Sequence, residues 1–160
     1  MRFLLHKKND SRKSAKSGRF WLSFLFVSLS YAWYSFYAPS NDILWDDNYT
    51  EAQQQAPESG KPIILFFTGK WCSPCQIMKH QVWADNQVIS AVNAGVIPVM
   101  IDVDDKSMTQ TLAQYNVSVT PKTIVTDSKG IVLQEKEEGI SKTEFLQMLE
   151  KAFNPTIEIS

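Results

Sequence analysis

At 160 residues, with a hydrophobic N-terminal segment set aside, the chain has room for one compact domain of about 110 residues that can bury its own core. Its two cysteines exclude a framework of structural disulfides. The net charge of −1 hides a split: residues 1–38 carry seven Lys and Arg against one Asp, net +6, and the remainder nine Lys against sixteen acids, net −7, so the acidic part argues against a nucleic-acid partner.

The basic head, residues 1–19, is polar, serine-containing and lysine-rich and is expected to be disordered. From Phe20 to Ala38 the sequence FWLSFLFVSLSYAWYSFYA has no charged residue over nineteen positions, about the length that crosses a bilayer core as a helix. Trp33, Tyr34 and Tyr37 near its far end suit a membrane interface. With cations before this stretch and Asp42, Asp46 and Asp47 after it, the positive-inside rule leaves the N-terminus in the cytoplasm and the rest of the chain outside. The domain is therefore expected outside a membrane that the chain crosses once; in a bacterium this is the inner membrane, with the domain in the periplasm. The competing reading is a signal peptide with Phe20 to Leu29 as its apolar core and cleavage after Ala32. Either way the domain is exported.

Residues 39–46 form a linker, and a domain is expected over 47–154 with a tail at 155–160. A helix starts near Asp47, sets Ala52 and Ala56 one turn apart, and is expected to close at Pro57 and Gly60. Ile63 to Phe67 is a buried strand. A helix then runs from Cys72 towards Ala84, followed by a helical piece over Val88 to Asn93 that Gly95 stops. Val96 to Val103 is a second strand. Ser107 to Tyr115 has helix character, with Met108, Leu112 and Tyr115 on one face. Pro121 to Thr126 and Ile131 to Glu135 make a hairpin around Ser128, Lys129 and Gly130. Ser141 with Glu144 forms a capping box for a last helix to Phe153, whose expected buried stripe is Phe145, Leu146, Leu149 and Phe153. Strands alternating with helices, then a hairpin and a final helix, indicate a mixed sheet covered on both faces.

The chemistry concentrates where the first strand meets its helix. After Thr68, Gly69 and Lys70 come Trp71, Cys72, Ser73, Pro74 and Cys75. Residues three apart on a first helical turn share a face, so Cys72 and Cys75 can reach the short Cα separation that a disulfide demands. A cysteine at a helix N-terminus meets free amide N–H groups and the positive end of the dipole, which favour a thiolate and lower its pKa. Pro74 fits that first turn because its missing N–H had no intrahelical partner to lose. Cys72 is thus the expected exposed attacking thiolate, and Cys75 the more buried resolving thiol that releases a mixed disulfide.

The motif Trp71-Cys72-Ser73-Pro74-Cys75 after an apolar strand resembles the active site of the thioredoxin superfamily. Val119-Thr120-Pro121-Lys122-Thr123 resembles the cis-proline loop that faces that site. Trp45 with Tyr49, Ala52, Ala56 and Gly60-Lys61-Pro62 is similar to the entry of the thioredoxin-like domains of DsbD-type disulfide interchange proteins. The resemblance covers roughly Ile43 to Phe153 and implies an α/β, thioredoxin-like fold, a central mixed β-sheet flanked by helices, here preceded by a transmembrane signal anchor. It also implies that Val119, Thr120 and Pro121 contact the substrate chain, that Trp71 offers it an apolar rim, and that Ser73 and Pro74 support the motif. One departure stands out: many thioredoxins carry a buried aspartate six residues before the first cysteine, where it takes part in proton transfer to the resolving thiol, and this chain has Phe66.

The expected activity is protein-disulfide exchange with other exported thiol and disulfide proteins, in the reducing direction, by a monomer. Periplasmic oxidation would otherwise trap the pair, so a membrane electron donor is expected. No cofactor and no metal are expected: zinc takes about four ligands, and outside the motif there is no cysteine and only His6 and His80. His80 is read as a helix-surface residue and Lys70 as an ordinary exposed lysine. The alternatives are a disulfide oxidase or isomerase, a C-x-x-C copper-binding or metallochaperone module, and a binding-only module.

Overall fold

A computed structural model describes residues 11–36 and 42–154. The remaining head, the 37–41 stretch that holds Tyr37 and the start of the expected linker, and the 155–160 tail lie outside the described residues. The chain divides into two units between Tyr37 and Ala38.

The first unit is helix α1, Ser11–Phe36, of 26 residues. It begins within the stretch expected to be disordered. Arg12, Lys13, Ala15 and Lys16 are good helix formers and extend the apolar helix backwards. From Phe20 to Tyr34 its large apolar side chains are exposed. Among the described residues no helix is long and apolar enough to cross a membrane. In α1, Ser23, Ser28, Ser30, Tyr31 and Tyr34 dilute the Phe, Leu and Val content.

In the second unit Asn48 caps α2, Tyr49–Ser59, by accepting from the amides of Thr50 and Glu51. Pro57 does not end this helix, contrary to expectation, because it sits in the last turn where losing one N–H leaves the remaining bonds intact. Gly60, at φ 67°, closes it in the left-handed conformation that glycine adopts at no steric cost. Strand β1, Ile63–Thr68, is buried along its whole length. It leads through Gly69 to α3, Ser73–Gln81, and Asp85 then caps α4, Asn86–Gly95. The single helix expected up to Ala84 is therefore shorter, because a new cap resets the chain. Strand β2 is Ile97–Asp102; a 3₁₀ turn at Lys106–Met108 runs into α5, Thr109–Gln114, in place of one continuous helix. Strands β3, Lys122–Thr126, and β4, Val132–Glu137, form the hairpin, and α6, Lys142–Phe153, carries the expected capping box.

The sheet order is β2-β1-β3-β4, with β1 parallel to β2 and antiparallel to β3, and β3 antiparallel to β4. Because successive strand residues face opposite sides, β1 splits its apolar run between two cores. Ile63, Leu65 and Phe67 pack with Tyr49, Ala52 and Ala56 of α2 and with Tyr115. Ile64 and Phe66 pack with Cys75 and Met78 of α3, Val88 and Val92 of α4, and Phe145 and Leu149 of α6. Met148 and Ala152 complete the buried face of α6, whereas Phe153 is nearly half exposed and Leu146 only partly covered, which corrects the expected stripe. The Phe153 ring lies over Gly95, where a Cβ would come within 3.0 Å of it.

Candidate functional site

Strand β1, an interior strand, ends at Thr68 and delivers Trp71 and Cys72 to the start of α3. Cys72 is the N-cap of that helix, and its Sγ accepts the Cys75 N–H at 3.2 Å. Pro74 lies in the first turn, where its ring costs the helix no bond. The two cysteines, with Cα atoms 5.2 Å apart, are joined as a disulfide. Cys75 is fully buried, and Cys72 is partly exposed. One sulfur of the bond thus faces solvent while the other is rooted in the core. Ser73 and Pro74 are exposed beside them, and Trp71 stands 83% exposed.

The Thr120–Pro121 peptide is cis. Since Lys122 pairs with Phe67 across the antiparallel β1–β3 ladder, the loop that ends in Thr120 and Pro121 emerges at the end of the sheet where β1 runs into the cysteine motif. The structure therefore brings the two motifs to one end of the sheet. Val119 is exposed, Thr120 partly so, and Pro121 is buried. His80 is half-buried on α3 and Lys70 is exposed.

Beneath Cys75 the surroundings are apolar and aromatic. Phe66 is fully buried, with its ring 5.1 Å from that of Trp83 and 6.1 Å from that of Trp45. Trp83 meets Phe145 at 4.7 Å. Across the parallel ladder Phe66 pairs with Met100, another apolar residue. Lys79, one turn past Cys75, is half-buried; burial lowers its ammonium pKa and the negative charge of Asp102 opposes that shift.

Sequence reasoning missed Lys122. It is almost fully buried, and its Nζ lies 3.2 Å from the Tyr115 carbonyl, 3.2 Å from Glu137 Oε1 and 3.4 Å from Glu135 Oε2. The available signal was a lysine opening a strand that carries no other charge, directly after the loop proline.

The residues 49–153 match the family of the thioredoxin-like domain. The chain belongs to that family. It is 32% identical over 101 residues to a disulfide bond reductase, DsbH, of Chlamydia pneumoniae, covering 56% of this chain and 59% of that one. It is 27% identical over 76 residues to the thiol:disulfide interchange protein DsbD of Campylobacter jejuni, covering 47% of this chain and 13% of that protein. The chain thus spans a small part of the length of DsbD. Among solved structures, a DsbH oxidoreductase superposes with a TM-score of 0.61 at 25% identity, covering 72% of this chain and 86% of that one. The chain is thus a thioredoxin-like family member whose C-x-x-C pair is closed as a disulfide.

Proposed function

We propose that this chain is an exported thiol-disulfide oxidoreductase that reduces disulfides in other exported proteins through Cys72 and Cys75. The observation that carries the reading is the half-exposed, half-buried disulfide at the head of α3. Starting from the reduced pair, the Cys72 thiolate attacks one sulfur of a substrate disulfide. A bond forms between Cys72 and that sulfur while the substrate S–S bond breaks, and the departing sulfur leaves as a thiolate that takes up a proton. Cys75 then loses its proton and attacks Cys72 Sγ. The mixed disulfide breaks, the second substrate sulfur leaves as a thiolate, and Cys72–Cys75 closes. Two electrons have passed to the substrate. The disulfide form must next receive two electrons from a dithiol donor, and a membrane protein that conducts electrons outward is the class of donor the compartment requires.

The reducing direction is supported by the likeness to a protein named as a disulfide bond reductase. The exposed Trp71, next to Cys72 in the chain, and Val119, on the loop at the same end of the sheet, are read as apolar contacts for a substrate chain, to which Thr120 offers backbone in the manner of strand addition. Export rests on the charge split and on α1, read as a signal anchor or as a signal peptide cleaved after Ala32.

Substituting Cys75→Ser separates this reading from a metal carrier. Without a resolving thiol, the Cys72 adducts should accumulate as covalent complexes with exported proteins, visible on non-reducing gels and lost with dithiothreitol. Cys72→Ser should trap none. If Cys75→Ser accumulates no covalent partner but the protein loses bound copper, the metallochaperone reading replaces this one.

A further inference from the structure

Lys122 is a charged side chain with 4% exposure on the face of β3 turned towards Tyr115. A buried ammonium is costly unless its hydrogen-bonding capacity is met. Here three acceptors surround it. Glu137 is its direct cross-strand partner in the β3–β4 ladder, and Glu135 lies two residues along on the same face of β4. Both carboxylates are about half exposed, at 50% and 56%. The third acceptor is the main-chain oxygen of Tyr115, at the C-cap of α5.

That third contact closes a loop. Tyr115 and Lys122 bracket residues 116–121, which hold the left-handed Asn116 (φ 47°), the exposed Val119, and Thr120 with its cis peptide to Pro121. Val117 bonds back to Leu112 at 3.0 Å. Among the described residues Ser118, Val119 and Thr120 make no hydrogen bond that ties them to the fold. The stretch is held at its two ends, at the Lys122 end already by the β3 ladders to β1 and β4, and Nζ of Lys122 adds a side-chain link from that end to the Tyr115 carbonyl and to the two β4 carboxylates.

The geometry points to Lys122 as a positioning residue: a buried ammonium clasp that holds the 116–121 loop in register for a substrate polypeptide at the Cys72–Cys75 site. The inference rests on the proposed exchange of disulfides with polypeptides. The clasp touches neither sulfur, so it should matter to a chain that must lie along the loop and not to a small disulfide that needs only Cys72.

The test uses the full chain in detergent, with dithiothreitol as reductant and two substrates: hydroxyethyl disulfide, and an extended peptide closed by one intramolecular disulfide. Lys122→Met keeps the apolar stem and removes the ammonium. It should raise KM for the peptide by about tenfold while kcat for the peptide and turnover of hydroxyethyl disulfide stay within about twofold of the wild type. Lys122→Arg, which supplies a cation to the same acceptors, should bring the peptide KM back to within about threefold of the wild type. Equal losses with both substrates, or an unchanged peptide KM, would overturn the assignment. If Lys122→Met does not fold, the double variant Glu135→Gln/Glu137→Gln removes the carboxylate half of the clasp and should still raise the peptide KM several-fold; no rise there overturns it too. A wild type that turns over neither substrate defeats the underlying oxidoreductase reading instead, which keeps the two failures apart.

Discussion

Phe66 occupies the strand position where many thioredoxins bury an aspartate, and its surroundings show that no carboxylate is accommodated there. Its ring is enclosed by Trp45 and Trp83, Trp83 is in turn packed on Phe145, and Cys75 and Met78 belong to the same core. Offset and edge-on aromatic contacts of this kind add to the stabilisation that burial already gives. Phe66→Ala should therefore lower stability by about 3–5 kcal/mol, the range for deleting a buried phenylalanine. Denaturant unfolding reads this directly, and a loss below about 1 kcal/mol would mean that the ring is not part of a tightly packed wall. The cysteines, the proline of the facing loop and the missing acid were all legible from local sequence, because each belongs to a short motif. Lys122 was not. Its partners lie on β4 and at the end of α5, and only the β3–β4 register reveals that a lysine next to the motif points inward.

Helix starts carry much of the polar organisation at the next scale, and α4 shows how one cap joins distant elements. Asp85 accepts from the amides of Gln87 at 2.9 Å and Val88 at 3.4 Å, and its other oxygen takes Lys142 Nζ at 2.9 Å, tying the head of α4 to the first residue of α6. The hydrogen bond from Lys142, helped by the two amides, holds the Asp85 carboxyl below its ordinary pKa. A carboxyl whose folded pKa is depressed releases its proton more readily when folded. Its contribution is thus present above the ordinary carboxylate pKa and lost as pH falls through that value towards the depressed one. Asp85→Asn keeps a good N-cap but abolishes the titration. Its melting temperature should fall less than that of the wild type between neutral pH and about pH 3; parallel curves would remove Asp85 from the acid transition. Glu144 and Asp105, depressed by the amides and hydroxyls of Ser141 and Ser107, leave a residual slope in the variant. Element types and order were legible here because β1, the Ser141–Glu144 box and the glycine stops are strong local signals. Among the misjudged details, Pro57 is tolerated for a local reason, its place in a last turn, whereas Phe153 leaves the core to Met148 for a tertiary one, its ring lying across Gly95 of α4.

The whole chain joins an acidic domain to a helix with a basic start and an exposed apolar surface, and this combination makes the fate of α1 testable. The uncharged stretch from Phe20 has the length of a bilayer core at about 1.5 Å per residue, yet its serines and tyrosines keep it from being apolar enough to count as a spanning helix. Trp33 and Tyr34 lower average hydropathy too, although such rings are favoured where lipid meets water. Meanwhile Phe20, Trp21, Leu22, Phe24, Leu25, Phe26, Val27 and Leu29 are all exposed. A contiguous apolar surface of that kind marks an interaction site, covered by lipid on one reading of α1 and removed by a peptidase on the other. The reading as a signal anchor takes the first course. Expressed in a bacterium, the protein should sediment with membranes, resist alkaline carbonate extraction, and keep its head, so that mass spectrometry finds no chain beginning at Trp33. A mature chain starting at Trp33 and released with the periplasmic fraction would replace the anchor by a cleaved signal peptide and leave export intact. Retention in the cytoplasm with the head uncleaved would defeat both, and with them the need for an electron donor in the membrane, since a cytoplasmic pair can be kept reduced without one.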